Sequence, residues 1–236
     1  MSDISHAVIL AGGQGTRLRP VTLEIPKPLI PVQGLPIATW LVRLFVRHGV
    51  TTVSVIYPTS RKTSFEQWGL GIRNEVPELR LLEETEPMGT MGYLVHEMSF
   101  ADEPIFVTNG DELKGLDLSA LADVHRQRSH PVTIALVRVP NPSEYGVAEM
   151  DGDRIVRFHE KPEIPPSTLI SSGLYVVHPR VFRDAPRDRR FLMFERDLFP
   201  RLAEEGKLGG CPLGGAWYDC GTMERWEKAI REWGGE

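Results

Sequence analysis

The sequence has few cysteines, no long apolar run and no surplus of positive charge. Its 236 residues include only Cys211 and Cys220, too few for a disulfide framework, which predicts free thiols in a reducing compartment. The N-terminal residues lack the basic and apolar regions of a signal peptide, and no segment approaches the roughly 20 apolar residues of a membrane span. With 27 basic and 32 acidic residues, the net charge of −5 argues against general nucleic-acid binding. These absences predict a cytoplasmic protein with neither a membrane nor a nucleic-acid partner.

The two glycine loops that most often bind nucleotides are also missing. The stretch LAGGQGTRLRP, residues 10–20, has Leu18 where a dinucleotide loop requires its third glycine. No lysine followed by serine or threonine comes after these glycines, so the stretch is not a P-loop. The missing P-loop excludes a GTPase-like switch.

The same stretch nevertheless has the chemistry of a phosphate site. Consecutive glycines let backbone N–H groups approach a ligand closely, and Arg17 and Arg19 supply donors suited to phosphate oxygens. Lys27 stands between Pro26 and Pro28 on a stiff loop, which holds one more cation in place. The alternative is a strand-to-helix turn with solvated arginines, which leaves the combination of glycines, arginines and Pro-Lys-Pro unexplained.

Hydrophobic periodicity predicts alternating strands and helices over about the first 140 residues, a pattern typical of a parallel sheet with helices on both faces. After residue 140 the rhythm changes, because a hairpin is predicted around the turn at 151–153. The predicted strands are 7–11, 51–57, 79–85, 104–111, 131–139 and 169–179, and the predicted helices are 37–45, 61–72, 89–100, 118–129, 190–206 and the end of 216–233.

The stretch LAGGQGTRLRPVTLEIPKPLIPVQGLPI closely resembles the signature of the sugar-1-phosphate nucleotidyltransferases. Five further motifs follow in the family's order: EPMGT, NGD, YGVAEMDGDRIVRFHEKP, SSGLY and WYDCGTMERW. The resemblance implies a Rossmann-like α/β three-layer sandwich with a mostly parallel mixed sheet. It also implies transfer of a nucleotidyl group from a nucleoside triphosphate to a sugar 1-phosphate. Arg17, Lys27 and Asp111 would be catalytic, and the nucleotide would contact Leu10, Ala11, Gly12, Gly13, Gly15, Thr16, Arg17, Glu84, Gly89, Thr90 and Asn109.

Two aspartates are the candidate metal ligands. Asp111 follows a predicted strand, at the edge where open α/β sheets bind ligands, and Asp219 stands at a second strand-to-helix turn. Either could instead be a turn former or a helix cap. The family resemblance implies that they share a catalytic Mg²⁺, and magnesium favours one or two carboxylates together with substrate phosphates.

The sugar side rests on the resemblance too. Lys161 would hold the sugar 1-phosphate and Glu160 the sugar hydroxyls, although adjacent opposite charges are also common on solvated surfaces. Ser171 departs from the asparagine usual in the family, which leaves the identity of the sugar open. The implied sugar-phosphate residues are Gly110, Gly146, Glu160, Lys161, Ser171 and Gly173.

The base is predicted from Glu84, which stands five residues before the loop glycine Gly89. Thymidylyl and uridylyl members have glutamine at that position. A carboxylate only accepts hydrogen bonds, and guanine offers two adjacent donors, N1–H and N2–H₂. GTP is therefore preferred over UTP or CTP, although cytosine also offers a donor and Glu84 could be a surface acid at a strand end.

The domain organisation follows from the resemblance as well. We expect one nucleotidyltransferase domain over residues 1–236, with a nucleotide-binding half at 1–140 and a sugar-phosphate half at 141–236. No C-terminal β-helix is expected. The resemblance implies a homodimer as one assembly to test, because members of the family often form dimers or tetramers. The alternatives are a uridylyltransferase of the same family and a catalytically silent, nucleotide-sugar-binding regulatory subunit. The silent alternative is disfavoured because Arg17, Lys27, Asp111, Lys161 and Asp219 are all present.

Overall fold

The fold is described from a computed structural model that covers residues 3–98, 102–188 and 190–235. The chain forms two compact units with interleaved segments. The first unit comprises Met1–Pro87, Val107–Leu118 and Gly215–Glu236, and the second comprises Met88–Phe106 and Ser119–Gly214. No helix within the described residues is both long enough and apolar enough to span a membrane.

Thirteen strands and seven α-helices are described, together with short 3₁₀ turns and one π-helical segment, Phe194–Leu198. The strands are β1 (His6–Leu10), β2 (Pro31–Val32), β3 (Leu35–Pro36), β4 (Thr52–Pro58), β5 (Glu78–Glu84), β6 (Ile105–Asn109), β7 (Glu112–Leu116), β8 (Val132–Arg138), β9 (Gly146–Asp151), β10 (Arg154–Glu160), β11 (Leu169–Val177), β12 (Leu208–Pro212) and β13 (Gly215–Asp219). The helices are α1 (Val21–Glu24), α2 (Ile37–Arg47), α3 (Lys62–Ile72), α4 (Gly92–His96), α5 (Leu118–Arg128), α6 (Phe199–Glu204) and α7 (Met223–Glu232).

The first unit is built on a sheet whose strands follow the order β5, β4, β1 and β6. β1, β4 and β5 pair in parallel, so that Ala7 lies opposite Val53 and Val53 opposite Leu79. Because parallel strands are buried on both faces, β1 and β4 are nearly continuous apolar runs. α2 packs its apolar face against this unit and ends before Gly49, whose φ of 92° continues the chain where an L-residue would be strained.

The first unit also contains an antiparallel pair of strands, β7 and β13, which come from two distant parts of the sequence. Glu112 lies opposite Asp219 in this pair. Thr222 then caps α7, since its hydroxyl accepts a hydrogen bond from the Arg225 N–H at 3.3 Å. Thr222, not Asp219, is therefore the helix cap.

The second unit has mixed pairing. β8 runs antiparallel to β11 and parallel to β12, and β10 runs antiparallel to both β12 and β9. The α/β class with a mixed sheet is thus confirmed. The parallel pairing expected for the first 140 residues holds for β1, β4 and β5, whereas β2, β3 and β7 pair antiparallel and β8 has one antiparallel and one parallel neighbour. The core of this unit contains stacked and edge-on rings of Tyr175, Phe194 and Phe199.

Several predicted elements differ in extent from the observed ones. The helix expected at 89–100 is only α4, and its predicted residues 99 and 100 lie outside the described part of the chain. The helix expected at 190–206 begins as the π-helical segment at Phe194 and becomes α-helical at Phe199. β7 and β12 were not predicted, because each contains residues that are unfavourable in isolated strands.

Candidate active-site residues

The glycine loop follows β1 and presents an exposed backbone. Gly12, Gly13 and Thr16 are exposed, while Leu18 is buried and anchors the far end of the loop. The Ala11 N–H donates to the Ile56 carbonyl at 2.8 Å, which fixes the start of the loop on the sheet. A Cβ on Gly13 would meet no protein atom within 4 Å. The protein leaves that space open, as close approach of a ligand to the backbone requires.

Gly15 has the left-handed backbone conformation that turns the loop. Its φ is 63°, and a Cβ there would lie 2.8 Å from Cγ2 of Thr22. The Thr22 hydroxyl donates to the Gly15 carbonyl at 2.7 Å. Arg61 in turn donates to the Thr22 carbonyl at 2.7 Å and to the Leu23 carbonyl at 3.0 Å. Sequence reasoning missed Thr22 and Arg61, although the threonine stands within the recognised signature.

Lys27 and Asp111 form a short ion pair. The Lys27 Nζ lies 2.5 Å from Oδ2 of Asp111, with the lysine buried and the aspartate about one-third exposed. Burial lowers the pKa of Lys27, but the charge and hydrogen bond of Asp111 raise it more, so its pKa is above the ordinary value. Burial likewise raises the pKa of Asp111, but the nearby Lys27 charge outweighs it and holds that pKa below the ordinary value. Both groups are therefore charged at neutral pH.

Asp219 comes to the same part of the first unit from the other end of the chain. The Cys220 N–H donates to the Asp111 carbonyl at 3.4 Å, which joins the two aspartate segments. Asp219 is buried, and its Oδ2 lies 2.6 Å from Nη1 of Arg225. A Cβ on Gly221 would lie 2.7 Å from the Asp219 Oδ1 and 2.9 Å from Nη2 of Arg17. Both charged groups therefore approach Gly221.

The donor chemistry of the two aspartates fits Mg²⁺. The charges of both carboxylates raise the pKa of Lys27, and Asp111 lies 2.5 Å from its ammonium group. Two carboxylates from rigid strand ends, completed by phosphate oxygens of a substrate, form the kind of set that magnesium favours. Within residues 3–98, 102–188 and 190–235, no three His, Cys, Asp or Glu side chains are grouped to hold a metal ion.

Glu112 and Lys114, on the strand that follows Asp111, form an ion pair that the sequence analysis did not predict. The two residues are two positions apart in β7, so their side chains lie on the same face of the strand. The Lys114 Nζ is fully buried and lies 2.9 Å from Oε2 of Glu112. Burial raises the pKa of Glu112 to about 7, an effect that Lys114 opposes and the neighbouring Asp111 and Asp219 reinforce. The charge-x-charge spacing in DELKG is the signal that could have identified the pair.

Glu84, the predicted base-selecting residue, ends β5 and is buried. Its Oε2 lies 3.0 Å from the position that a Cβ on Gly12 would occupy, so its carboxylate lies against the start of the glycine loop. The Gly110 N–H donates to the Leu10 carbonyl at 2.9 Å, and a Cβ there would lie 2.8 Å from that oxygen. Glycine at 110 therefore serves close packing of β6 on β1.

The predicted sugar-side residues lie in the second unit, apart from Gly110. Gly146 on β9 lies opposite Glu160 on β10, and the ring of Phe158 fills the space that a Cβ on Gly146 would need. Lys161 has a φ of 51°, and its N–H donates to the Tyr145 carbonyl at 3.1 Å. Its side chain is 64% exposed, and its Nζ lies 3.5 Å from Oε1 of Glu160. The lysine backbone is fixed while its charge remains open to solvent.

The remaining predicted residues of the second unit are held by local hydrogen bonds. The Gly173 N–H donates to the Ser171 hydroxyl at 3.2 Å, which leaves the proton of that hydroxyl to be donated elsewhere. The Thr90 hydroxyl donates to Oε2 of Glu195 at 2.7 Å. His159, which neighbours the Glu-Lys-Pro motif, bonds to Oε1 of Glu149 at 2.8 Å.

The predicted residues thus form two sets. Within the first unit the fold brings together the glycine loop, Arg17, Lys27, Glu84, Asn109, Gly110, Asp111 and Asp219. Within the second unit lie Gly89, Thr90, Gly146, Glu160, Lys161, Ser171 and Gly173. The loop residues Gly89 and Thr90, expected at the nucleotide, belong to the same unit as the residues expected at the sugar.

A family model described as Nucleotidyl transferase matches residues 6–233 of this chain. The chain belongs to the nucleotidyl transferase family, which confirms the resemblance seen in the sequence motifs. The Mycobacterium tuberculosis mannose-1-phosphate guanylyltransferase is 38% identical over 223 residues, covering 92% of this chain and 61% of the relative. The Danio rerio mannose-1-phosphate guanylyltransferase catalytic subunit beta is 37% identical over 225 residues, covering 91% of this chain and 61% of that subunit.

The fold also matches a solved structure. A structure from Bacillus anthracis, described as that of a proposed glucose-1-phosphate thymidylyltransferase, has a TM-score of 0.86 and 22% sequence identity. The match covers 96% of this chain and 94% of the solved one, which confirms the fold. The chain spans 61% of the length of the two relatives described above.

Proposed function

We propose that this chain transfers a nucleotidyl group, with GTP as the preferred donor, to a sugar 1-phosphate. An oxygen of the sugar phosphate attacks the α-phosphorus of the triphosphate, the bond between that phosphorus and the bridging α–β oxygen breaks, and pyrophosphate leaves. The observation that carries the proposal is the Lys27–Asp111 ion pair, with Asp219 and Arg17 close by and an exposed glycine loop in the same unit. Family membership and the two mannose-1-phosphate guanylyltransferase relatives support it.

The reaction needs alignment and charge neutralisation more than proton transfer. A phosphate oxygen is already a nucleophile, so a strong general base is unnecessary. The raised pKa of Lys27 keeps its ammonium group charged, which suits it to the negative charge of the triphosphate. The exposed backbone of the glycine loop offers N–H donors, and Arg17 adds a guanidinium fork for phosphate oxygens.

Asp111 and Asp219 are proposed to hold Mg²⁺. The bound ion would neutralise phosphate charge and polarise the α-phosphoryl group. The two carboxylates are already oriented by Lys27 and Arg225. A ligand set assembled in this way requires little rearrangement of the strands that carry it.

Glu84 supports guanine as the base. Its buried carboxylate lies against Gly12, at the start of the glycine loop. Guanine presents two adjacent donors that a carboxylate can accept together, whereas uracil and thymine place acceptor oxygens beside their single donor. UTP is therefore the competing donor that the assay must include.

Lys161 and Glu160 are proposed to bind the sugar 1-phosphate. The Lys161 ammonium group is exposed on a backbone fixed by Tyr145, so it can contact a phosphate without first leaving a strong ion pair. Mannose 1-phosphate is the first sugar to test, because the relatives named above carry it in their names. A cytoplasmic location and a homodimer remain proposals, the first supported by two buried free cysteines.

The deciding experiment measures pyrophosphate release. The protein is incubated with Mg²⁺, each of GTP, ATP, CTP, UTP and dTTP, and a panel of sugar 1-phosphates. We expect release with GTP above the other donors. Release with UTP and not GTP would refute the role given to Glu84. An absence of release with every pair would refute the enzyme proposal and favour a silent, nucleotide-sugar-binding subunit.

A further inference from the structure

The loop Met88–Gly92 is joined backbone to backbone with the segment Arg190–Phe194. The Leu192 N–H donates to the Met88 carbonyl at 3.0 Å, and the Met91 N–H donates to the Leu192 carbonyl at 2.9 Å. A Cβ on Gly89 would lie 2.3 Å from the Leu192 oxygen. Glycine is required there for close approach as well as for its φ of 76°. The loop therefore lies directly on this segment.

The Thr90 hydroxyl is the polar centre of this contact. It accepts from the Phe194 N–H at 3.0 Å and donates to Oε2 of Glu195 at 2.7 Å. The other carboxylate oxygen of Glu195 accepts from the Tyr175 hydroxyl at 3.4 Å. Phe194 opens the π-helical segment, so its N–H is one of the donors that a helix leaves unpaired at its start. Thr90 thus caps a helix that begins 104 residues further along the chain.

The π-helical segment has a cause in the sequence. Pro200, near the start of α6, has no N–H and its ring would collide with the carbonyl of the residue four positions earlier in a regular helix. Widening of the preceding turn accommodates this ring. π-turns of this kind occur frequently at functional sites. Here the turn brings Glu195 to Thr90 and Tyr175.

Glu195 also adjoins the proposed sugar side of the second unit. Burial raises the pKa of Glu195, and the charge of Glu160 raises it further. The Thr90 hydroxyl opposes this rise by donating to the carboxylate. Glu195 is therefore linked to one residue expected at the nucleotide and to another expected at the sugar.

We propose that Glu195 is a positioning residue, which holds the Gly89–Thr90 loop in its nucleotide-binding conformation through the Thr90 hydroxyl. This inference rests on the proposed function, because the loop is assigned to the nucleotide only there. The Thr90 hydroxyl is committed to Phe194 and Glu195, so the loop contacts the nucleotide through its backbone. Glu195 touches no reacting atom.

Three substitutions test the link. Thr90→Val removes the hydroxyl at nearly constant volume, Thr90→Ser keeps it, and Glu195→Ala removes the acceptor. The matched control is Glu204→Ala, an exposed acid on the neighbouring α6. We expect Thr90→Val and Glu195→Ala to weaken GTP binding, measured by calorimetry, by about tenfold, as the loss of one hydrogen bond to a charged group predicts. Thr90→Ser and Glu204→Ala should stay close to the unsubstituted protein.

Two further measurements separate positioning from general destabilisation. In steady-state kinetics, Thr90→Val should raise the KM for GTP and change the KM for the sugar phosphate by less than about twofold, within ordinary variation of an uncoupled site. Hydrogen exchange without substrates should quicken at the Met91 and Phe194 amides and not in the β8 strand. If Glu195→Ala does not fold, the Thr90 pair carries the test alone.

The outcomes are distinct. Quickened exchange in the loop with unchanged GTP affinity would overturn the inference, as would equal increases of both KM values. Unchanged exchange and unchanged affinity in Thr90→Val would overturn it too. Pyrophosphate release that fails for the unsubstituted protein would refute the proposed function. In that case, weaker GTP binding together with a loosened loop would still uphold the positioning role of Glu195.

Discussion

The two units of the chain hold their candidate functional groups in different ways. In the first unit, cations and carboxylates are paired at short range: Lys27 with Asp111 at 2.5 Å and Arg225 with Asp219 at 2.6 Å. In the second unit, Lys161 is 64% exposed and its carboxylate neighbour is 3.5 Å away. The first arrangement is preorganised for charge that develops during a reaction. The second leaves a cation available to capture a substrate, so the two units should affect different kinetic constants.

The tryptophans make this comparison measurable. All five of them fall within the segments of the first unit: Trp40, Trp68, Trp217, Trp226 and Trp233. Tryptophan emission therefore reports on the first unit. The five tyrosines are divided: Tyr57 and Tyr218 belong to the first unit, and Tyr93, Tyr145 and Tyr175 to the second.

The largest expected effect is that of Asp111→Asn in the first unit. The substitution keeps the shape of the side chain but removes the charge that pairs with Lys27 and would bind the metal. We expect kcat to fall by about three orders of magnitude, with the tryptophan emission spectrum retained. Asp117→Asn, at an exposed position of the same unit, is the control. Near-normal turnover of Asp111→Asn would remove Asp111 from the metal site.

Lys161→Ala in the second unit should mainly raise the KM for the sugar 1-phosphate. Loss of an exposed cation that binds the sugar phosphate should raise the KM for that substrate by about thirtyfold, with a smaller change in kcat. Lys207→Ala is the control, because Lys207 is also an exposed lysine of the second unit. A change confined to the KM for the nucleotide would mean that the two substrates are assigned to the wrong units.

Glu84→Gln in the first unit should change the choice between GTP and UTP. It leaves the Lys27–Asp111 and Arg225–Asp219 ion pairs in place. An amide keeps one acceptor and gains donors, so we expect the ratio of kcat/KM for GTP to that for UTP to fall by about tenfold. Glu83→Gln is a matched control one residue earlier, where the carboxylate pairs with Lys62 at 2.8 Å. An unchanged ratio in Glu84→Gln would separate base selection from this residue.

The smallest expected effect concerns acid stability. Burial, reinforced by the charges of His178 and His130, lowers the pKa of His125 in the second unit to about 4. His125 is therefore neutral in the folded protein, whereas in the unfolded chain it binds a proton below pH 6.5. The unfolding free energy of that unit should fall by about 1 kcal/mol from pH 7 to pH 5.5 and continue to fall towards pH 4.

His125→Asn tests this effect, since asparagine can still bond to the Thr133 hydroxyl that lies 3.0 Å from the imidazole Nδ1. Urea unfolding, followed by the NMR amide signals of residues in the second unit, should lose the part of its pH dependence that His125 contributes. His6→Asn is the counterpart in the first unit, where burial also lowers the pKa of His6. Tryptophan emission should respond only to His6→Asn, and an unaltered pH dependence in His125→Asn would contradict the assignment.

The sequence predicted the parts of the fold and site that depend on local pattern. The strand before the glycine loop, the helix stop at Gly49 and the strand-end position of Glu84 all follow from apolar spacing and turn chemistry. The nearness of Asp111 and Asp219 was expected only from the family resemblance. The sequence alone does not reveal the pairing of β7 with β13, since the paired residues are about 100 positions apart in the chain.

What the sequence did not predict depends on tertiary partners. β7 contains Lys114, whose buried ammonium group lies 2.9 Å from the Glu112 carboxylate and 3.5 Å from the Asn109 carbonyl. β12 contains Gly209 and Gly210, poor strand formers that are required because Cβ atoms there would meet His130 and Met150. The hydrogen bond from the Thr90 hydroxyl to Glu195 likewise joins residues 105 positions apart, so the sequence alone does not reveal it.

The strand β13 has a consequence for biosynthesis. The first unit lacks one strand, one helix and Asp219 until the segment beginning at Gly215 has been made. The second unit, completed at Gly214, can fold earlier. At about 5 to 20 residues per second, translation of Ser119–Gly214 alone takes roughly 5 to 20 s. During that time the glycine loop and Lys27 are made without Asp219, so a nascent chain cannot bring Asp219 to Asp111 before β13 emerges.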